Sequence, residues 1–238
     1  MQTTLAQFNE TTSTDAFALQ NSKLLKVSLD QVTIQAKLGS MVAYQGSVTF
    51  EHAGSGGMSR MLKKAVTGEG QSLMKITGAG EVFLADQAQD IHLVYLENDE
   101  ITVNGQNLLA FDSDIDWDIQ RVQGASGMMG GGLFNTKLHG TGWVAVLSDG
   151  PPVLLNVAQA PTFADAQAAI TWSSGVSTSI RTDFKMKNLI GRGSGESVQM
   201  AFSGQGWVLV QPSEGRIVAP AGGSSGGSGG GLGNLLNG

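Results

Sequence analysis

The sequence predicts an all-β fold built from three pseudo-symmetric β-sandwich or barrel repeats. Three observations predict it. Runs rich in β-branched and aromatic residues follow one another at short spacing from residue 24 to residue 210. An apolar signature occurs three times, as Ser40-Met41-Val42-Ala43-Tyr44-Gln45-Gly46-Ser47-Val48, as Asn107-Leu108-Leu109-Ala110-Phe111-Asp112-Ser113-Asp114-Ile115 and as Ala168-Ala169-Ile170-Thr171-Trp172-Ser173-Ser174-Gly175-Val176. A Gly-x-Gly leading into a β-rich run also occurs three times, at Gly78-Ala79-Gly80, Gly140-Thr141-Gly142 and Gly204-Gln205-Gly206. Periodicity on this scale decides the architecture ahead of any local reading.

In chain order, residues 1–16 read as a flexible N-terminus ahead of a single body over 17–215. Leu24–Leu29 and Val32–Leu38 are the first strands. Ala53–Gly70 is a glycine-rich insert in which Met58, Met61, Leu62, Ala65 and Val66 recur at helical spacing opposite Arg60, Lys63 and Lys64, which predicts one short helix. Ile91–Leu96 is a strand, and Asn98-Asp99 and Asn104-Gly105 mark turns, the second suited to a tight hairpin because both residues tolerate positive φ. Over Ile115–Val122, Ile115, Trp117 and Ile119 alternate with Asp114, Asp116 and Asp118, the period of a half-buried strand. A second insert, Gln123–Gly132, carries Met128 and Met129. Trp143–Leu147, Val153–Val157 and Val176–Thr182 are strands, with a turn at Asp149-Gly150-Pro151-Pro152. The third insert, Asp183–Glu196, holds Lys185, Met186, Lys187 and Arg192. Residues 216–238 have a linker composition of Gly and Ser and are expected to be disordered.

The repeats divide as 73–122 and 133–182, each running from its Gly-x-Gly half to its apolar signature. Residues 24–50 supply only a second half and 197–211 only a first half. Joined, the N- and C-terminal segments complete the third repeat and cover edges that would otherwise invite aggregation. The expected body is closed, with its ends adjacent and the three inserts at one end.

The search for chemistry returns little. His52, His92 and His139 sit in different repeats, and no H-x-H or H-E-x-x-H spacing suggests a metal site. The run Asp112, Asp114, Asp116, Asp118 lacks the glycine and bidentate glutamate of a calcium loop. Each Gly-x-Gly lies between strands, so it marks a bend or bulge where backbones approach closely; a phosphate cradle would need a helix N-terminus after it. No catalytic residue, metal or cofactor is expected.

Bulk properties narrow the partners. The net charge is −6 and the pI near 5.0, against the basic footprint of a nucleic-acid binder. No cysteine is present, so no disulfide framework or thiolate site exists. Charged residues are 14% of the chain, against a typical ~25%, which suits burial of surface between copies of the chain. No apolar stretch approaches membrane-spanning length and no secretory signal opens the sequence. The expected location is cytoplasmic, or peripheral at a membrane surface.

Leu19-Gln20-Asn21, Leu24-Leu25-Lys26-Val27, Lys37-Leu38-Gly39-Ser40-Met41-Val42-Ala43-Tyr44-Gln45-Gly46, Thr67-Gly68-Glu69-Gly70 with Met74, the Gly-x-Gly strands and Val208-Leu209-Val210-Gln211-Pro212-Ser213-Glu214 together resemble the altered inheritance of mitochondria protein 24 family over residues 17–215. That resemblance implies a fold like that of the tryptophan RNA-binding attenuation protein, in three repeats. It also implies a link to mitochondrial inner-membrane organisation among the mitochondrial relatives, and it brings no catalytic residues.

The function expected is a non-enzymatic, homo-oligomeric scaffold or interaction protein. Its interaction surface is expected at Met58, Arg60, Met61, Lys63, Lys64, Met128, Met129, Lys185, Met186, Lys187 and Arg192, facing a protein partner or an anionic membrane. Two alternatives are a small-molecule module with a pocket lined by Trp117, Trp143, Trp172 or Trp207, and an enzyme with an assembled carboxylate–histidine site.

Overall fold

Strand-forming residues dominate the structure, a computed structural model, as the sequence predicts; it describes residues 4–52, 72–121, 134–181 and 199–213. After a 3-10 turn at Leu5–Phe8, fourteen strands follow. They are β1 (Phe17–Asn21), β2 (Leu24–Lys37), β3 (Met41–His52), β4 (Leu73–Leu84), β5 (Asp90–Asn104), β6 (Leu108–Asp112) and β7 (Asp116–Arg121), then β8 (Phe134–Ser148), β9 (Val153–Asn156), β10 (Thr162–Asp165), β11 (Ala169–Ser173), β12 (Val176–Arg181), β13 (Gln199–Gly204) and β14 (Trp207–Val210). The predicted helix of the first insert and the Gly/Ser tail lie outside the described residues.

All pairings are antiparallel. The large sheet runs β3-β4-β2-β6-β8-β5-β11-β14-β9, with β1 beside β2 and β7 beside β8, and a small sheet runs β10-β13-β12. The same motif is thereby made three times, always with the Gly-x-Gly strand in the middle. β4 lies between β2 and β3, β8 between β5 and β6/β7, and β13 with β14 between β9/β10 and β11/β12. The registers agree: Tyr44, Phe111 and Trp172 face Val82, Val144 and Val208, each two residues after the second glycine of its Gly-x-Gly.

This pairing corrects the expected division. β2 and β3 pair with β4, β1 and β6, whereas β13 and β14 pair only with strands between residues 153 and 181. The third unit is therefore contiguous, 153–210, and the units are 24–84, 90–148 and 153–210. A repeated sequence reveals its period but not its phase. The phase is set by which strands the inserts join, and each insert spans a hairpin: His52 faces Met74, Arg121 faces Phe134 and Arg181 faces Gln199.

The turn signals are also reassigned. Leu24–Leu29 and Val32–Leu38 merge into one strand, β2, whose register shifts between Asp30 and Thr33. Asn98-Asp99 is a bulge inside β5, with Asn98 at φ 54° and its N–H donating to Thr141 Oγ1 at 2.9 Å. Asn104-Gly105 opens a 3-10 turn, because β5 and β6 flank β8 and do not pair with each other as a hairpin would. Every glycine of the three Gly-x-Gly motifs has positive φ, from 116° to 151°. A Cβ on Gly78 or Gly80 would strike the backbone of β3 at Ser47 or Gln45, so only glycine lets those strands close.

The core forms three hydrophobic clusters, one per unit, and two of them are completed by the next unit. Leu109 and Ala110 of β6 pack with Leu25, Val27, Ile34 and Val82 of the first unit. Ile170 of β11 packs with Ile101, Val103, Phe111 and Leu138 of the second. The third cluster, around Trp172, Met200, Phe202 and Val208, is composed of residues of its own unit.

Candidate functional site

Four polar groupings lie inside or against the sheet. Lys26 on β2 is almost fully buried, and its Nζ sits 2.6 Å from Glu10 Oε1 and 2.7 Å from Glu81 Oε1 on β4. Nζ also donates to the Thr11 carbonyl at 3.3 Å. A buried ammonium is costly unless paired, and here it is paired twice. The hydrogen bonds that Lys26 donates to Glu10 and Glu81 raise the Lys26 pKa, and the bond that Glu10 accepts from Lys26 holds its carboxyl below the ordinary 4.5. Residues 9–11, expected to be flexible, are clasped to the sheet by this cluster and by Gln20, which accepts from Thr11 N–H at 2.7 Å and donates to the Asn9 carbonyl at 3.0 Å.

His92 on β5 is half-buried with Nε2 2.7 Å from Ser148 Oγ, the one histidine–hydroxyl pair in the described residues. Burial lowers its pKa below 6.5, against the opposing charge of Asp90. Ser148 is fully buried and donates to the Gly150 carbonyl at 2.7 Å, so no substrate carbonyl can reach its oxygen; the pair joins β5 to the end of β8. His139 is exposed on β8. Asp112 accepts from Trp143 N–H at 2.6 Å, and burial raises its pKa. It lies on β6, apart from the β7 carboxylates Asp116 and Asp118 with which the sequence groups it. Asn107 and Gln211 form a buried amide pair, Asn107 Nδ2 donating to the Leu147 carbonyl at 2.9 Å and Gln211 Oε1 accepting from Asp149 N–H at 3.0 Å. Among the described residues no group of three or more His, Asp or Glu side chains could hold a metal ion.

The tryptophans expected around a pocket serve packing. Trp117 meets Phe111 edge-on, Trp172 meets Phe202, and Trp143 meets Tyr95. A groove of about 600 Å³ opens instead along the loop from β9 to β10, lined by Leu154, Leu155, Asn156, Pro161, Thr162 and Phe163.

The more telling surface is β3, at the rim of the large sheet. From Met41 to Glu51 it holds no buried residue, although Ile76, Val82 and Leu84 on the adjoining β4 are fully buried. It carries no Asp, Lys or Arg, its ionisable groups being Tyr44 and, at its end, Glu51 and His52, and Val42 and Tyr44 stand exposed. Natural sheets protect long edges with charges, prolines or short strands, and β3 has almost none of these devices. The sequence reading missed this surface because it assigned the edge to pairing with residues 197–211. The predicted surface residues Met58, Arg60, Met61, Lys63, Lys64, Met128, Met129, Lys185, Met186, Lys187 and Arg192 all lie outside the described residues.

A family model described as "Mitochondrial biogenesis AIM24" matches residues 17–213. Among solved structures, protein SPYM3_0169 from Streptococcus pyogenes superposes with a TM-score of 0.67 at 22% sequence identity, over 82% of this chain and 91% of that one. At that identity the likeness concerns the fold. No curated protein matches the chain.

Proposed function

The chain belongs to the Mitochondrial biogenesis AIM24 family, and on that premise we propose that it is a non-enzymatic, self-associating scaffold that meets a protein partner or an anionic membrane surface. The observation that carries this reading is the β3 edge: a twelve-residue strand with no buried residue from Met41 to Glu51, beside a strand whose Ile76, Val82 and Leu84 are fully buried. Such an edge offers main-chain donors and acceptors to an added strand, and Val42 and Tyr44 offer apolar area to cover. The low charge content favours the same conclusion, since interface cores are depleted in charge.

Membrane contact is the second part of the proposal and rests on the sequence. Three basic residues in the first insert (Arg60, Lys63, Lys64) and four from Arg181 to Arg192 make up half of the 14 Lys and Arg of an acidic chain. Clustered lysines and arginines are drawn to anionic headgroups. Among the described residues no helix is long and apolar enough to cross a membrane.

Sedimentation velocity over a hundredfold concentration range tests self-association; a single monomeric species throughout removes it. Flotation with anionic vesicles at low salt tests the membrane part. Binding that is absent, or unchanged when Arg60, Lys63, Lys64, Lys185, Lys187 and Arg192 are neutralised, removes that part alone.

A further inference from the structure

β6 and β11 show what the edge of β3 is built to do. Tyr44, Phe111 and Trp172 hold one place in the repeat. Phe111 faces Gln35 of β2, and two residues on Ser113 N–H donates to the Thr33 carbonyl at 3.1 Å. Trp172 faces Thr102 of β5, and two residues on Ser174 N–H donates to the Glu100 carbonyl at 3.1 Å. The residue in that place on β3 is Gly46. Equivalence therefore turns the main-chain groups of Tyr44 and Gly46 away from β4, toward the side where β3 has no strand among the described residues. The side chains agree: Phe111 and Trp172 are 0% and 4% exposed, and Tyr44 is 50% exposed.

The shape of β3 restricts what can be added to it. The Tyr44 and Phe50 rings meet edge-on, with centroids 5.2 Å apart. Six residues of straight strand would span about 20 Å. β3 therefore bends between them, at Gly46, whose φ is 92°. β4 follows the bend with Gly80 opposite Gly46. A strand on the outer side of β3 has to bend at the same point.

We infer that β3 pairs with β3 of a second copy, antiparallel, about a twofold axis at Gly46. The inference rests on the self-association proposed above and specifies the partner edge and its register. The twofold brings the two bends together. It sets Tyr44 opposite Val48 of the second copy on the core face, and Gln45 opposite Ser47 on the outer face. Apolar thus meets apolar and polar meets polar. Glu51 comes opposite Met41, so the two carboxylates lie at opposite ends of the ladder and do not repel. The contact uses the same edge of both copies, so assembly stops at the dimer.

The absence of cysteine makes the register measurable. Gln45 and Ser47 are exposed and face Glu81 and Ala79 of β4. In the proposed ladder Gln45 and Ser47 of the two copies form a directly opposed pair without mutual hydrogen bonds, with Cα atoms about 4.5 Å apart, which a disulfide spans. Like positions, 45 with 45 or 47 with 47, are diagonal neighbours about 7–8 Å apart, beyond a relaxed disulfide. Gln45→Cys and Ser47→Cys are made separately, and circular dichroism confirms that each folds as the unmodified chain does. Mild oxidation of their mixture should give a covalent dimer well above the yield of either variant alone. Sedimentation velocity of the unmodified chain should show monomer and dimer and nothing larger. Association without the mixed cross-link, or species beyond the dimer, would overturn the twofold register and leave self-association standing. A chain monomeric at every concentration would remove both.

Discussion

Replacing Gly80 and Gly140 by alanine, one at a time, separates two costs that a conserved backbone geometry usually mixes. The two glycines hold equivalent places in β4 and β8 with nearly the same dihedral, φ +145° and +139°. A side chain in that region costs roughly 1–3 kcal/mol in either place. The surroundings differ. At Gly140 the nearest atoms to an added Cβ are Asp114 O and Ile115 Cα at 3.5 Å, an ordinary contact. At Gly80 the Cβ would run into the Gln45 carbonyl, which belongs to the β3 backbone and cannot rotate aside. Forcing the strands apart adds about 1–3 kcal/mol, the usual range for overpacking. Gly140→Ala should therefore lose about 1–3 kcal/mol in urea unfolding, and Gly80→Ala about 1–3 kcal/mol more. Hydrogen exchange should rise along Ala43–Ser47 in Gly80→Ala alone. Equal losses, or a larger loss at Gly140, would refute the claim that close strand approach is what requires glycine in β4.

Other expectations follow from the strands that join the units and from the buried polar groups. Phe111→Ala removes a fully buried ring and should cost about 3–5 kcal/mol, whereas Tyr44→Ala, at the equivalent place on the exposed edge, should cost the monomer well under half of that in the same urea titration. Glu10 has a depressed pKa in the folded chain, so its contribution holds above about 4.5 and fades as pH falls through the folded value. Protection of the Thr11 amide, relative to its intrinsic exchange rate at each pH, should fall below that pH, and Glu10→Gln should lower it at pH 7. Burial likewise depresses His92, so the folded state favours its neutral form, and stability should begin to fall as pH drops past 6.5. An NMR titration of the His92 ring with a midpoint above 6.5 would contradict that. Asp112→Ala leaves the Trp143 N–H without its acceptor and should cost about 1–3 kcal/mol at pH 7.

Fold class and period were legible in the sequence because both are written locally. Alternation of Ile115, Trp117 and Ile119 marks a strand wherever it pairs, and two of those three side chains are fully or nearly fully buried in β7 and the turn before it. The glycines read as points of close approach are such points, at Gly78 and Gly80 most clearly. The unit boundaries were not legible. Leu73–Leu84 belongs to Leu24–His52 by pairing, yet the intervening glycine-rich insert looks like a boundary when only composition is read. Nor could sequence show that Val42 and Tyr44 are exposed. They carry the same apolar signature as Leu109 and Phe111, and only the order of strands reveals that their neighbour is missing. Nor does the sequence mark Lys26 as buried; its burial depends on Glu10 and Glu81, which are distant in sequence.

Hydrogen exchange of the unmodified chain at two concentrations tests the central claim most directly. Amides of Val42–Gly46 should gain protection as concentration rises, while those of the strands that join neighbouring units, Ala110–Ser113 and Thr171–Ser174, stay equally protected at both. Protection of Val42–Gly46 that is already complete at the lowest concentration, or that never changes, would contradict self-association through the β3 edge.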